Sequence, residues 1–247
     1  MESVAEYTAS FFLSAGESDA QGCLPVPLLV ERIIEVATGH ANTLGIGYDA
    51  LIRQNIGWVL SRLSVEMVRY PRINENYSIR TWIESINRRF SERNFVILDG
   101  NGAVAGYARS VWSAIDFGKR TGADLTAIGI SECPMSEAEC PIERTPRIPY
   151  IGPEARQSVY TFRFCDLDFN RHVNTVRYLE LLLDQWGLAH YDSSEAARVD
   201  LLFHHECRYG EQALVRIDSI TAPVANCEIS REAVRAVAAR FTWRPRR

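Results

Sequence analysis

The feature that most constrains the fold is a repeat, because the order strand, helix, run of antiparallel strands occurs twice along the chain. Residues 4–13 read as a first strand. Residues 25–44 read as a long apolar helix, with Leu28, Leu29, Ile33, Val36 and Ala37 at helical spacing on its buried side and Glu31, Arg32 and Glu35 on its wet side. After a turn-rich connection through Gly45 and Gly47, residues 58–69, 77–87, 94–99 and 104–116 carry the β-branched and aromatic residues of antiparallel strands, and Asp99-Gly100-Asn101-Gly102 supplies a hairpin turn. Prolines at 134, 141, 146, 149 and 153 then predict a linker along the surface, since proline cannot donate to a sheet ladder. Beyond it a strand at 158–164, a helix at 174–188 and strands at 197–208, 213–222, 225–232 and 234–243 restore the first order. The run from Glu75 to Ile83 can be laid over that from Glu211 to Ser219, each after a strand ending in Arg-Tyr. The reading is an N-terminal unit over 1–120, a linker over 121–155 and a C-terminal unit over 156–247. With 47% hydrophobic residues in 247, each unit can bury a core.

Chemistry concentrates in one stretch, Cys165-Asp166-Leu167-Asp168-Phe169-Asn170-Arg171-His172-Val173-Asn174. In an extended backbone Asp168, Asn170 and His172 share one face. A helix follows, and Asn174 stands where an N-cap belongs, with Thr175 beside it. A helix start offers free amides and a positive dipole end, which suit an oxygen gaining negative charge in acyl transfer. The competing reading is turn and capping chemistry without catalysis. The second cluster is His204-His205-Glu206-Cys207. Neighbouring strand residues face opposite sides, so the two histidines are poorly placed to chelate one metal, and Glu206 and Cys207 should not both reach one site. Counting back from Cys207 gives a mostly apolar face, which makes Cys207 a core residue and leaves Glu206 for the site. A bulge at this point would remove the ground for that assignment.

The net charge of −4 provides no global field for nucleic acid. No stretch approaches the ~20 apolar residues that span a bilayer, and the start lacks a secretory signal, so a soluble cytoplasmic chain without membrane insertion is expected. The six cysteines form no Cys-x-x-Cys pair and read as free thiols.

The run Asp168-Phe169-Asn170-Arg171-His172-Val173-Asn174, followed by Tyr178, resembles the Asp-x-Asn-x-His-Val-Asn-Asn signature of the acyl-ACP thioesterases, which release fatty acids from acyl carrier protein. Thr175 stands where that family usually has a second Asn. The Glu206-Cys207 pair is similar to the family's Glu-Cys pair. The resemblance implies an α+β tandem hotdog, each unit a long helix wrapped by an antiparallel sheet; plant members of the family carry a plastid transit peptide, whereas strand-like sequence starts here at residues 4–13, so a chain of bacterial type is expected. It also implies a catalytic second unit and a non-catalytic first unit with a hydrophobic slot for the acyl chain, Cys23, Pro25 and Pro27 standing where the motif would be; Val30, Ile33, Ile34 and Ala37 either line that slot or are ordinary core, the commoner role for any single one. The expected reaction is thioester hydrolysis. Asp168 serves as nucleophile or base, Glu206 positions water, Asn170 and His172 orient and polarise, and the amides at Asn174 and Thr175 meet the carbonyl oxygen. The rival scheme uses Cys207, His172 and Asn170. No metal or cofactor is needed, because a thioester is already activated. The partner is acyl carrier protein, which is acidic and should meet an arginine-rich surface; Arg88, Arg89 and Arg93 either form that surface or are a solvated sheet face, and a homodimer is expected. An acyl-CoA thioesterase, a hotdog enoyl-thioester hydratase and a non-catalytic acyl-carrier-binding module are the alternatives.

Overall fold

The computed structural model describes residues 4–246. The chain divides into two compact units, one spanning Met1–Pro25 with Leu29–Arg144, the other Thr145–Arg247 with Val26–Leu28.

The first unit runs β1 (Glu6–Phe12), α1 (Val26–Thr43), α2 (Tyr48–Ile52), β2 (Ile56–Met67), β3 (Asn76–Ile86), β4 (Ser91–Asp99), β5 (Val104–Asp116) and β6 (Thr121–Gly122). Its sheet is antiparallel in the order β1-β3-β4-β5-β2, with β6 on β5. Helix α1 starts on the Pro25 N-cap, with a second proline inside its first turn, where a missing N–H costs nothing. Its buried stripe is Leu29, Val30, Ile33, Val36, Ala37, His40 and Ala41. At the end of that stripe His40 stacks on Tyr7 of β1. The short α2 lies in the connection expected to hold only turns. At the β4–β5 hairpin Asp99 Oδ1 accepts the Asn101 and Ala103 amides, and Gly102 takes φ +81°.

The second unit runs β7 (Arg156–Thr161), α3 (Thr175–Leu183), α4 (Leu188–Ser193), β8 (Ser194–Phe203), β9 (Gln212–Ile217), β10 (Val224–Arg231) and β11 (Val234–Pro245). Its antiparallel order, β8-β11-β10-β9-β7, is the first unit's order element for element. Both units are the expected helix-on-sheet arrangement. The helix expected over 174–188 stops at Leu183 and resumes as α4. Between the two, Trp186 turns inward onto Phe241 and Trp243, with ring centroids 5.3 and 4.9 Å away. Among the described residues no helix is long and apolar enough to cross a membrane.

The Pro-rich segment does not simply run along the surface. Leu125, Ile130 and Cys133 are buried with Ile46, Ile83 and Ala114, and Cys140 and Ile142 pack on Trp82 and Val96. Apolar residues interleaved with prolines find core here without joining the sheet, and the Arg109 guanidinium donates to the Cys140 carbonyl at 2.8 Å. None of the six cysteines is in a disulfide, and of the six only Cys165 is exposed.

Candidate active site

The stretch before α3 is a tight turn and not a strand wall. A short 3-10 turn over Phe164–Asp166 leads in, and Leu167 and Val173 bridge across the loop between them. The Asp168 amide donates to the His172 carbonyl at 2.8 Å, while Asp168 Oδ1 accepts the Asn170 and His172 amides at 2.8 and 3.1 Å. Arg171 closes the turn at φ +64°, a left-handed conformation costing a non-glycine residue about 1–2 kcal/mol. Strand alternation therefore does not align Asp168, Asn170 and His172. Asp168 folds over its own turn, Asn170 is exposed, and His172 is half-buried.

Two further contacts seat this turn. The Val173 amide donates to the Cys207 carbonyl at 2.9 Å, and His172 bridges Arg208, so residues 206–208 lie against the turn. There His172 Nε2 meets Glu206 Oε2 at 3.2 Å, with the glutamate side chain half-exposed. Strand β8 ends at Phe203, and the His204 and His205 amides both point at the Ala236 carbonyl, a bulge-like irregularity, so residues 204–207 are not the continuous strand assumed from the sequence. What orients Glu206 and Cys207 is hydrogen bonding. The Cys207 amide donates to the Tyr178 hydroxyl at 2.7 Å, its carbonyl receives Val173, and the residue is 0% exposed. Burial pushes the Cys207 thiol up, with Tyr178 offsetting this only in part, and burial likewise pushes the Tyr178 hydroxyl up. His204 and His205 are exposed, and among the described residues no group of three or more His, Cys, Asp or Glu side chains is arranged to hold a metal.

At the helix start the Asn174 side chain accepts the Val176 amide at 2.9 Å, an N-cap bond, while the Asn174 amide itself donates to the Asp166 carbonyl at 2.8 Å. The Arg177 amide donates to the Asn174 carbonyl. Of the amides from Val173 to Arg177, only that of Thr175 has no hydrogen-bond partner among the described residues.

Asp166 is the anchor that sequence reasoning missed. Its carboxylate is 2% exposed; the Arg163 amide, the Tyr160 hydroxyl and Arg177 Nε donate to it. Burial alone would raise this carboxyl, but the Arg163 amide and the Arg177 guanidinium outweigh it and hold the group below its ordinary value. A signal was present, since Ser14 and Glu17 form the same bond three residues apart in the first unit, the Ser14 amide donating to Glu17 Oε2.

That first unit also contains a turn the sequence concealed. Asp19 Oδ1 accepts the Gln21 and Cys23 amides at 3.0 and 2.8 Å, the Asp19 amide donates to the Cys23 carbonyl, and Gly22 takes φ +71°. The Leu24 amide donates to the Pro71 carbonyl, and Cys23 bridges Arg72. Each bond has its partner in the second unit, so Asp19 matches Asp168, Gln21 matches Asn170, Cys23 matches His172 and Tyr70 matches Glu206. The motif position thus begins at Asp19 and is not simply the place of Cys23, Pro25 and Pro27. In both units a glutamate after the turn, Glu75 or Glu211, accepts the Arg72 or Arg208 amide, which confirms the Glu75–Glu211 pairing. The preceding Arg-Tyr pairs do not superpose, because Arg72 and not Arg69 is the counterpart of Arg208.

Of the arginines expected to face a carrier, Arg93 is excluded by burial, being 5% exposed. Its guanidinium donates to His40 Nδ1 at 2.7 Å and lies 3.4 Å from the Thr81 hydroxyl; His40 Nε2 then donates to the Val4 carbonyl. Desolvation brings the Arg93 guanidinium down to about 10 and also lowers His40, consistent with a neutral imidazole. Arg88 is exposed and tied to Asp124 at 2.7 Å, and Arg89 is exposed.

The chain matches the family models described as acyl-ACP thioesterase N-terminal domain over residues 5–127 and acyl-ACP thioesterase C-terminal domain over 153–241. It is 25% identical over 232 residues to oleoyl-acyl carrier protein thioesterase 1 of Arabidopsis thaliana, a chloroplastic protein; the match takes in 87% of this chain and 63% of that one. The palmitoyl-acyl carrier protein thioesterase of Cuphea hookeriana is 23% identical, matching 87% of this chain and 54% of the relative. The chain thus spans less than two thirds of the curated relatives it matches. Among solved structures, an acyl-ACP thioesterase from Bacteroides thetaiotaomicron superposes with a TM-score of 0.89 at 28% identity, covering 97% of this chain and 98% of that one. The 12:0-ACP thioesterase of Umbellularia californica shares the fold, with a TM-score of 0.83 at 17% identity and 98% of each chain covered.

Proposed function

Because the chain belongs to the acyl-ACP thioesterase family, we propose that it hydrolyses the thioester of fatty acyl-[acyl carrier protein] to free fatty acid and holo-carrier. The second unit carries the chemistry, and the first takes the acyl chain along the buried side of α1. The observation that carries this reading is the His172–Glu206 pair at 3.2 Å, set on a turn that ends at a helix start. The matching positions of the first unit hold Cys23 and Tyr70, which cannot form such a pair.

Asp168 Oδ1 is tied to two amides, and Oδ2 has no partner among the described residues, which leaves one fixed carboxylate oxygen for a water molecule. Water adds to the thioester carbon and gives its proton to this carboxylate. The carbonyl oxygen gains charge against the Thr175 amide, and the C–S bond breaks as the thiolate leaves and takes up the proton. Glu206 holds His172 in orientation and positions the water, with Asn170 at the mouth. The test is a panel of acyl chain lengths on acyl carrier protein and on coenzyme A, read as thiol released, with water addition to enoyl thioesters run in parallel. Thiol release fastest from the carrier supports the reading; enoyl hydration without thiol, or tight binding without either, overturns it.

Thr175→Pro tests the oxyanion assignment. Proline is favoured at the first helical position, and Asn174 at φ −61°, ψ 139° is a backbone that tolerates a following proline. The helix should survive without that N–H. Turnover is expected to fall about 10²-fold, as for removal of one oxyanion donor, with Thr175→Ala close to wild type and thermal unfolding showing both variants folded. Full activity in Thr175→Pro would move the oxyanion site elsewhere.

A further inference from the structure

The two aspartate-anchored turns share their main-chain hydrogen bonds but not their outward residues. Around Asp19 stand Ser14, Ala15, Ala20 and Gly22; at the matching positions around Asp168 stand Arg163, Phe164, Phe169 and Arg171. Phe164 and Phe169 are 81% and 74% exposed, and Tyr209, beside Arg208, is 67% exposed. Arg163, Arg171 and Arg208 are themselves exposed, and among the described residues no carboxylate lies within ion-pair reach of any of them. Arg171 is the most telling. Its φ of +64° matches the +71° of Gly22, so the turn favours glycine, and a long cation stands there against the local preference. The same bonds that build the turn gather these residues in one unit, since the Arg163 amide donates to Asp166, the Arg171 amide to the Asp168 carbonyl, and Arg208 bridges His172. Exposed aromatics rimmed by unneutralised charge mark a contact surface, and here they frame the Asp168–His172–Glu206 site.

We propose that this rim is the docking surface for the acidic carrier protein that presents the thioester, an inference that rests on the hydrolase reading above. The guanidiniums meet carrier carboxylates and the phosphate of its phosphopantetheine arm, and the rings cover its apolar surface. The chain carries a net charge of −4, so an acidic partner gains no attraction from its overall field. Attraction has to come from a local cluster. This surface takes the place of the cluster around Arg88, Arg89 and Arg93.

The test combines Arg163→Gln, Arg171→Gly and Arg208→Gln, with glycine chosen to suit the turn. On carrier-bound substrate kcat/KM should fall about 30-fold, mainly through KM, as expected for lost steering and complementarity. On a small thioester such as acyl-N-acetylcysteamine it should stay within about 3-fold, and added salt should slow wild type on carrier substrate but not the variant. Equal losses on both substrates, or unchanged carrier kinetics while Arg88→Glu with Arg89→Glu raises KM, would overturn the proposal. Fluorescence anisotropy with carrier bearing a non-hydrolysable thioester mimic separates the two readings. Wild type that binds it without turning over carrier substrate leaves the docking surface standing and removes the hydrolase. Wild type that cleaves small thioesters but does not bind carrier removes the docking surface.

Discussion

Replacing Asp168 by asparagine is expected to lower turnover by on the order of 10³–10⁴-fold while leaving the protein folded, and the same change at Asp19 is expected to do almost nothing to turnover. The structure makes this pair unusually clean. In each unit the aspartate Oδ1 accepts two main-chain amides, from Asn170 and His172 in one and from Gln21 and Cys23 in the other. An asparagine Oδ1 can accept the same two bonds, so the turn survives at a cost of about 1 kcal/mol for the lost charge assistance. What the amide cannot do is take a proton from water or attack as an anion. If Asp168 is only a turn residue, the two substitutions should be equivalent in both stability and activity. Steady-state thiol release and thermal unfolding of both variants decide the matter. Activity of Asp168→Asn within a few-fold of wild type would reduce Asp168 to the role of Asp19 and pass the base function to Glu206.

The duplicated turn also shows what a sequence hides. The strand–helix–strands repeat was readable because hydrophobic period and turn residues survive divergence. The motif in the second half was readable because Asn170, His172 and Asn174 keep their chemistry. The first-half turn was not, because only its aspartate persists. Gln21, Gly22 and Cys23 supply the same backbone amides with unrelated side chains, and main-chain bonds leave little trace in residue type. Strand alternation served poorly for the same reason. Residues 204–207 leave the ladder at a bulge, so which side Glu206 and Cys207 face follows from the Tyr178 hydroxyl and the Val173 amide, contacts between residues distant in sequence. Charge and the neighbours Arg88 and Arg89 point Arg93 to the surface, whereas its contact with His40, a residue distant in sequence, goes with a buried position in β4.

Glu206→Gln and Cys207→Ser, chain neighbours in opposite surroundings, should separate the two hydrolytic schemes. Glu206 has a half-exposed side chain that meets His172, so its amide isostere should unfold at nearly the wild-type temperature. It should still lose on the order of 10³-fold in turnover, because a neutral amide cannot hold the imidazole and a water as a carboxylate does. Cys207 is enclosed and makes its turn-defining bonds through its main chain, which serine retains. Its substitution puts a hydroxyl in place of a fully buried thiol and should cost about 1–3 kcal/mol of stability, with most activity kept. Burial also raises the Cys207 thiol, so little thiolate exists near neutral pH to act as nucleophile. Alkylation tests need a Cys165→Ser background, since Cys165 is exposed close in sequence to the site and would react first. In that background iodoacetamide should leave the folded enzyme active. A folded but inactive Cys207→Ser beside an active Glu206→Gln, with substrate protecting against alkylation, would establish the cysteine scheme instead.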